Sequence, residues 1–271
     1  AEEEENDQNF ARILASYADI YVNDAFGAAH RPHASISGVP KYLPAVAGFL
    51  MENEIINLAK VLDSKAKPLA SISGGAKISD KMAALKNIVE KVSVLLIGGG
   101  MAASFLQALG FQTGRSYVEE QGIEFAKILL DLAEDKIVLP IDVIVADSFE
   151  ETSSHRISSV KEIGKEEYIL DIGPKTSIIF EKSLEDCKLI VWNGPMGVYE
   201  WEPFSQGTRH MARFLSTLSD VITIVGGGST ADAVRDLQLD SKMTHVSTGG
   251  GASLEFLEGK ELPGIQALME K

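Results

Sequence analysis

Five short apolar runs each end in a glycine-rich turn: Gly74-Gly75-Ala76-Lys77, Gly98-Gly99-Gly100, Asn193-Gly194-Pro195-Met196-Gly197, Gly226-Gly227-Gly228-Ser229-Thr230 and Thr248-Gly249-Gly250-Gly251. Runs this short and this rich in aliphatic residues predict strands buried on both faces. A glycine turn at the strand end lets backbone come close to a neighbour or a ligand. Where a helix follows, its free amides favour an anion. Repeated on successive strands, the pattern predicts a doubly wound α/β sheet whose carboxyl ends form a phosphate-handling crevice.

The candidate strands are residues 69–72, 94–97, 143–146, 189–192, 221–225 and 245–247. Helical segments separate them at 81–89, 102–109, 119–133, 175–184, 205–218, 230–237 and 252–257. This alternation predicts a six-stranded parallel sheet with helices on both faces, Rossmann-like in outline. Polar residues 148–167 interrupt it and read as a surface excursion. Ahead of the sheet, a helix over 8–17 capped by Asn6 or Asp7, a strand over 20–22 and a loop over 25–38 with His30, Arg31 and His33 are too little to bury a core. They read as the end of a second α/β domain. A helical region over 39–62, bent or divided at Pro44, and a linker ending at Pro68 join the two. The expected division is 1–38, 39–67, 68–262 and a tail over 263–271.

Composition narrows the class. A formal charge of −14 argues against nucleic acid or an anionic membrane as partner, so phosphate recognition must rest on a few lysines and amide dipoles. The single cysteine, Cys187, rules out an internal disulfide and suggests a reducing, cytoplasmic setting. The opening Ala1-Glu2-Glu3-Glu4-Glu5 has no apolar signal region and reads as the interior of a longer protein. The uncharged stretch 92–114 has the length of a membrane span, but its three consecutive glycines favour strand, turn and helix.

No segment follows the P-loop pattern. Two segments, 98–103 and 226–231, fit G-x-G-x-x-A, but neither has an acidic residue closing the next strand, so a dinucleotide fold is disfavoured. Lys77 follows Gly74-Gly75 at a strand end, where a flexible cation can reach a phosphate, and Lys81 lies one helical turn further on. A pair of lysines at that spacing otherwise marks a solvated helix face. Gly226-Gly227-Gly228 and Gly249-Gly250-Gly251 precede helices, whose amides could hold oxygens that gain charge during phosphoryl transfer. Glu200 could accept ribose hydroxyls or be a plain surface glutamate. Arg31 suits a phosphate or carboxylate, or solvent. Trp192 and Trp201 read as packing residues.

Taken together, the segments 22–31, 74–81, 170–174, 191–198 and 247–255 closely resemble the phosphoglycerate kinase family. They occur in the family's order and span essentially the whole chain. The resemblance implies reversible phosphoryl transfer between 1,3-bisphosphoglycerate with ADP and 3-phosphoglycerate with ATP, in glycolysis. Lys77 would stabilise the phosphoryl group in flight, and the amides of Gly227, Gly228, Gly250 and Gly251 would receive it. Lys81 would hold nucleotide phosphate, and Asn193, Gly226, Ser229 and Thr230 would belong to the nucleotide site. Gly98, Gly99, Gly100, Leu170 and Pro195 would border the adenosine, and Glu200 would bind ribose. Arg31, with His30, would bind phosphoglycerate. Mg²⁺ would enter with ATP or ADP, without a dedicated protein site: many members carry aspartate where this chain has Ser229, a weaker ligand for a hard cation.

The same resemblance makes 68–262 a whole nucleotide-binding domain and 1–38 the end of the phosphoglycerate-binding domain. It implies that most of the family's first domain lies outside these 271 residues, so the chain alone would be inactive. A monomer is expected. The alternative is an adenine-nucleotide-binding module without catalysis.

Overall fold

The apolar runs do become strands buried along their length. Every residue of Leu69–Ser73 and of Leu189–Asn193 is buried. The structure, a computed structural model, describes residues 1–62, 67–257 and 259–269. Its helices are α1 (Gln8–Ala15), α2 (Phe49–Leu62), α3 (Met82–Val89), α4 (Ala102–Ala108), α5 (Glu120–Ala133), α6 (Pro174–Leu184), α7 (Gln206–Thr217), α8 (Gly228–Asp236), α9 (Gly250–Leu257) and α10 (Pro263–Met269). Its strands are β1 (Tyr21–Asn23), β2 (Ala45–Ala47), β3 (Leu69–Ser73), β4 (Val94–Ile97), β5 (Ile137–Val138), β6 (Asp142–Ala146), β7 (His155–Ser159), β8 (Tyr168–Ile172), β9 (Leu189–Asn193), β10 (Ile222–Gly226) and β11 (His245–Val246). They group into two compact units, residues 65–246 and residues 1–64 with 247–271. Among the described residues, no helix is long and apolar enough to cross a membrane.

In the 65–246 unit a six-stranded parallel sheet runs in the order β11-β10-β9-β3-β4-β5. The chain winds outward from β3 to β4 and β5, then returns to the other side of β3 for β9. The strand order therefore reverses between β3 and β9, where such sheets open a crevice. Register places the strand ends in one row: Ser73 pairs with both Ile97 and Asn193, and Asn193 with Gly226. The glycine turns that follow these four residues thus emerge side by side. Trp192, Phe180, Ile190, Met211 and Leu215 fill the core beneath them.

One expected strand lies elsewhere. The run 143–146 belongs to β6, in a three-stranded antiparallel sheet ordered β7-β6-β8, and the sixth parallel strand is the two-residue β5. Val143 and Val145 are buried against Leu106, Val160 and Ile163, so the run is apolar on account of that second core. The expected surface excursion contains β7, whose first three residues are exposed. The stretch 92–114 forms β4, a glycine turn and α4, as expected.

In the other unit β1 and β2 form a parallel pair, Tyr21 with Ala45 and Asn23 with Ala47. Residues 39–62 are therefore not a helical region merely bent or divided at Pro44: a 3₁₀ turn (Val39–Lys41), the strand β2 and α2 follow in order. Proline disfavours helix in the residue before it. The Pro44 carbonyl instead accepts the Tyr21 N–H at 2.9 Å, starting the pair. Residues 263–269, expected as a tail, form α10, and the Gly264 N–H donates to the Ala29 carbonyl at 2.8 Å. The compact units also divide the chain differently from the expected boundary at 262. The turn Thr248-Gly249-Gly250-Gly251 packs with the early residues, because Thr248 N–H and Oγ1 donate to the buried Glu54 carboxylate at 2.6 and 2.8 Å.

Candidate functional site

The turns after β3 and β9 interlock at the point of strand reversal. The Gly74 N–H donates to the Asn193 carbonyl at 3.0 Å, and the Gly75 N–H to the Pro195 carbonyl at 2.9 Å. A Cβ on Gly74 would lie 2.1 Å from the Pro195 carbonyl oxygen, so glycine is required there by close approach. Beside these turns opens a cavity of about 560 Å³. Gly75, Ala76, Lys77 and Gly100 form one part of its lining; Leu170, Pro195, Gly197, Val198, Glu200 and Ser229 form another. Aromatic side chains from three separate segments, Tyr117, Phe149 and Tyr168, complete it. Phe149 packs against Trp201 at 4.9 Å and Tyr168 at 6.3 Å between ring centroids. Trp192, in contrast, is wholly buried, its indole N–H bonded to the Gly194 carbonyl at 2.8 Å.

Lys77 and Lys81 do not share a helical face. A 3₁₀ turn over Ser79–Lys81 precedes α3, which begins at Met82, so the spacing of four is not a helical turn. Lys77 is exposed and lines the cavity. Lys81 turns inward, and its ammonium donates to the carbonyls of Gly74 and Asn193 and to Asn193 Oδ1, each at 2.8 Å. Burial pushes its pKa down to about 7, with Asp80 acting in the opposite direction. Lys81 thereby ties the β3 turn to the β9 turn.

That bond also orients the Asn193 amide. With Oδ1 engaged by Lys81, Nδ2 is buried and has no partner among the described residues. A Cβ on Gly227, which has φ +87°, would lie 3.0 Å from Asn193 Oδ1 and 3.6 Å from Nδ2. Gly227 precedes α8, whose N-terminus has no side-chain cap, leaving its first amides free. Thr230 joins from the first turn of α8, accepting the Gly194 N–H at 2.7 Å. An unpartnered amide donor and an uncapped helix start at one place suit an anion.

Asp171 lies beneath the Leu170 wall. Its carboxyl accepts the N–H groups of Ile172 at 2.9 Å and Gly207 at 2.8 Å. Burial, opposed by these bonds, pushes its pKa up to about 8.

Gly250, Gly251, His30 and Arg31 belong to the other unit. Gly250 opens α9, and a Cβ on Gly251 would lie 3.3 Å from His30 Nε2, so His30 faces this helix start. His30 Nδ1 is buried without a partner among the described residues, and Arg31 is exposed. Sequence reasoning missed Tyr117, Phe149, Tyr168 and Val198. The available signal was an aromatic residue within a polar run, as in Asp147-Ser148-Phe149-Glu150.

The family model for phosphoglycerate kinase matches residues 1–260. A phosphoglycerate kinase of Moorella thermoacetica is 50% identical over 273 residues, covering 100% of this chain and 69% of that protein. The solved phosphoglycerate kinase of Coxiella burnetii is 42% identical with a TM-score of 0.89, over 99% of this chain and 70% of that one. That of Pyrococcus horikoshii is 34% identical with a TM-score of 0.86, over 95% of this chain and 65% of that one.

Proposed function

Because the chain belongs to the phosphoglycerate kinase family, whose members are phosphotransferases with a carboxyl group as acceptor, we propose that it exchanges a phosphoryl group between 1,3-bisphosphoglycerate with MgADP and 3-phosphoglycerate with MgATP. The observation that carries this reading is the cavity at the strand reversal. Its apolar and aromatic walls suit a base, Glu200 suits ribose, and the unpartnered Asn193 amide and α8 amides suit phosphates. Lys77 is the flexible cation for the phosphoryl group in flight. Stabilising that charge and holding donor and acceptor in line is most of what such a reaction asks of a protein. The amides of Gly250 and Gly251, like those of Gly227 and Gly228, serve the phosphoryl group, and His30 and Arg31 serve the phosphoglycerate.

Among the described residues, no group of three His, Cys, Asp or Glu side chains could hold a metal ion. Ser229 and Glu200 line the cavity. This donor set fits an Mg²⁺ that arrives on nucleotide phosphates and keeps most of its water. A cytoplasmic monomer is part of the same proposal.

Arg31 and His30 are few groups for a ligand bearing both phosphate and carboxylate, so the 271-residue chain by itself is expected to bind MgADP with little or no turnover. Proximity is worth roughly 7–11 kcal/mol when both substrates are held, and little of it survives with one held loosely. Calorimetry with MgADP and a coupled turnover assay on one sample test the proposal. Absence of MgADP binding overturns it. Binding with no turnover in any form of the protein favours the non-catalytic module. Turnover of this chain within about tenfold of the Moorella enzyme refutes the expected slowness.

A further inference from the structure

The two lysines of the first glycine turn are held in different ways. Lys81 is fixed by three hydrogen bonds. Lys77 forms no ion pair among the described residues, and its Nζ lies over the Tyr117 ring, 5.5 Å from the centroid. That distance is within cation–π range. Both residues line the same cavity. Tyr117 is 63% exposed, and no other ring packs on it among the described residues.

We propose that Tyr117 is a positioning residue for Lys77: its ring docks the Lys77 ammonium while the cavity is empty, and an adenine base taking that ring face releases the lysine. The inference rests on the cavity being the nucleotide site. A ring face can carry an ammonium or a stacked base, not both, so the two compete for Tyr117. The four-carbon stem of Lys77, rooted in the turn after Gly74-Gly75, lets the ammonium move without disturbing the sheet. Phe149 and Leu170 in the same lining provide the flat apolar surroundings a base needs. A cation–π contact at an exposed site shifts an equilibrium by about two- to fivefold, enough to hold the lysine and weak enough to yield it. Occupancy by the base is thereby coupled to the freedom of the lysine proposed to act on the transferring phosphoryl group.

Adenosine separates the base from the phosphates and is the probe. Reductive ¹³C-methylation leaves lysine charge intact, and Lys77→Arg assigns the Lys77 signal by its loss. In the unaltered chain that signal is expected upfield from the ring current of Tyr117, and adenosine is expected to remove the shift. Tyr117→Phe should keep the shift and Tyr117→Leu should lack it from the start. By calorimetry, Lys77→Ala should tighten adenosine by about two- to fivefold, because a competitor is gone, while weakening ADP. An unshifted Lys77 signal overturns the docking. Adenosine that binds yet leaves the signal in place, or that binds more weakly to Lys77→Ala, overturns the release. If neither adenosine nor ADP binds the unaltered chain, the nucleotide reading itself falls and the release falls with it. The ring-current comparison still decides the docking.

Discussion

Val191 and Val46 are both strand residues of parallel sheets, and they differ in what covers them. Val191, in β9, is 3% exposed; Val46, in β2, is 50% exposed. Around Val191 six strands are covered from both faces by helices and by a core that includes Trp192 and Phe180. Around Val46 two strands pair, and Ile20, Val22 and Phe49 remain exposed with it. A two-stranded pair is marginal without further cover. The distant segments of the 1–64 and 247–271 unit meet over a small apolar core with Phe26, Met51 and Leu58 and through polar bonds of Glu54 with Thr248, Asn23 with Gly264, and Ala29 with Gly264. The contrast teaches that one chain can place a cavity on a sheet buried on both faces and leave other candidate residues, Arg31 and Gly250 among them, on a unit with a two-stranded pair and exposed apolar residues. Stability should then be uneven across the molecule.

The largest effect is expected on the sheet. Trp192→Ala removes a wholly buried side chain and should cost about 3–5 kcal/mol. Amide exchange should quicken in β3 and β9 first; equal loss everywhere would erase the distinction between the units. In any form of the protein that turns over, Lys77→Ala should lower kcat by about 10²–10³. Steady-state kinetics with an unchanged kcat and a raised KM would remove Lys77 from its role. Glu54→Ala removes the buried acceptor of the two Thr248 donors and should cost about 1 kcal/mol. Exchange protection should fall in α2 and α9 while β3 and β9 keep theirs, and loss in the sheet would break the comparison.

The pH dependence should sharpen it, since Asp171 and Lys81 both belong to the 65–246 unit. Asp171 has its folded pKa raised to about 8, so its contribution is full below the unfolded value and is lost as pH rises towards 8. Lys81 has its folded pKa lowered to about 7, so its contribution is present above the unfolded value and is lost as pH falls towards 7. Urea unfolding at acid, neutral and alkaline pH should show both limbs. Asp171→Asn should flatten the first and Lys81→Met the second; unchanged slopes would show that neither group titrates in these windows. The smallest change is expected from Ser229→Asp, which should tighten MgADP by about tenfold or less, because a carboxylate suits a hard cation better than a hydroxyl. No gain by calorimetry would mean that phosphates and water hold the ion unaided.

Much of the site could be read from the residues alone. A short aliphatic run followed by glycine is a local signal, and it located β3, β4, β9 and β10 with their turns; Lys77, Glu200 and Ser229, singled out in or near those turns, line the cavity. Other features depended on which surfaces meet. Residues 143–146 and the two-residue β5 look alike in apolarity, and only register assigns the second to the parallel sheet and the first to β6. Pro44 speaks against helix in its neighbour, but a strand there required β1 alongside to supply the bonding partner. Lys81 sits four residues after Lys77, yet a 3₁₀ turn and three backbone and side-chain acceptors draw it inward. Tyr117, Phe149 and Tyr168 form one wall although 32 and 19 residues separate them in turn. Period and punctuation act over a few residues and are written in the chain itself. Pairing, burial and the direction of a buried ammonium are settled by long-range competition for the same core and the same hydrogen-bond partners.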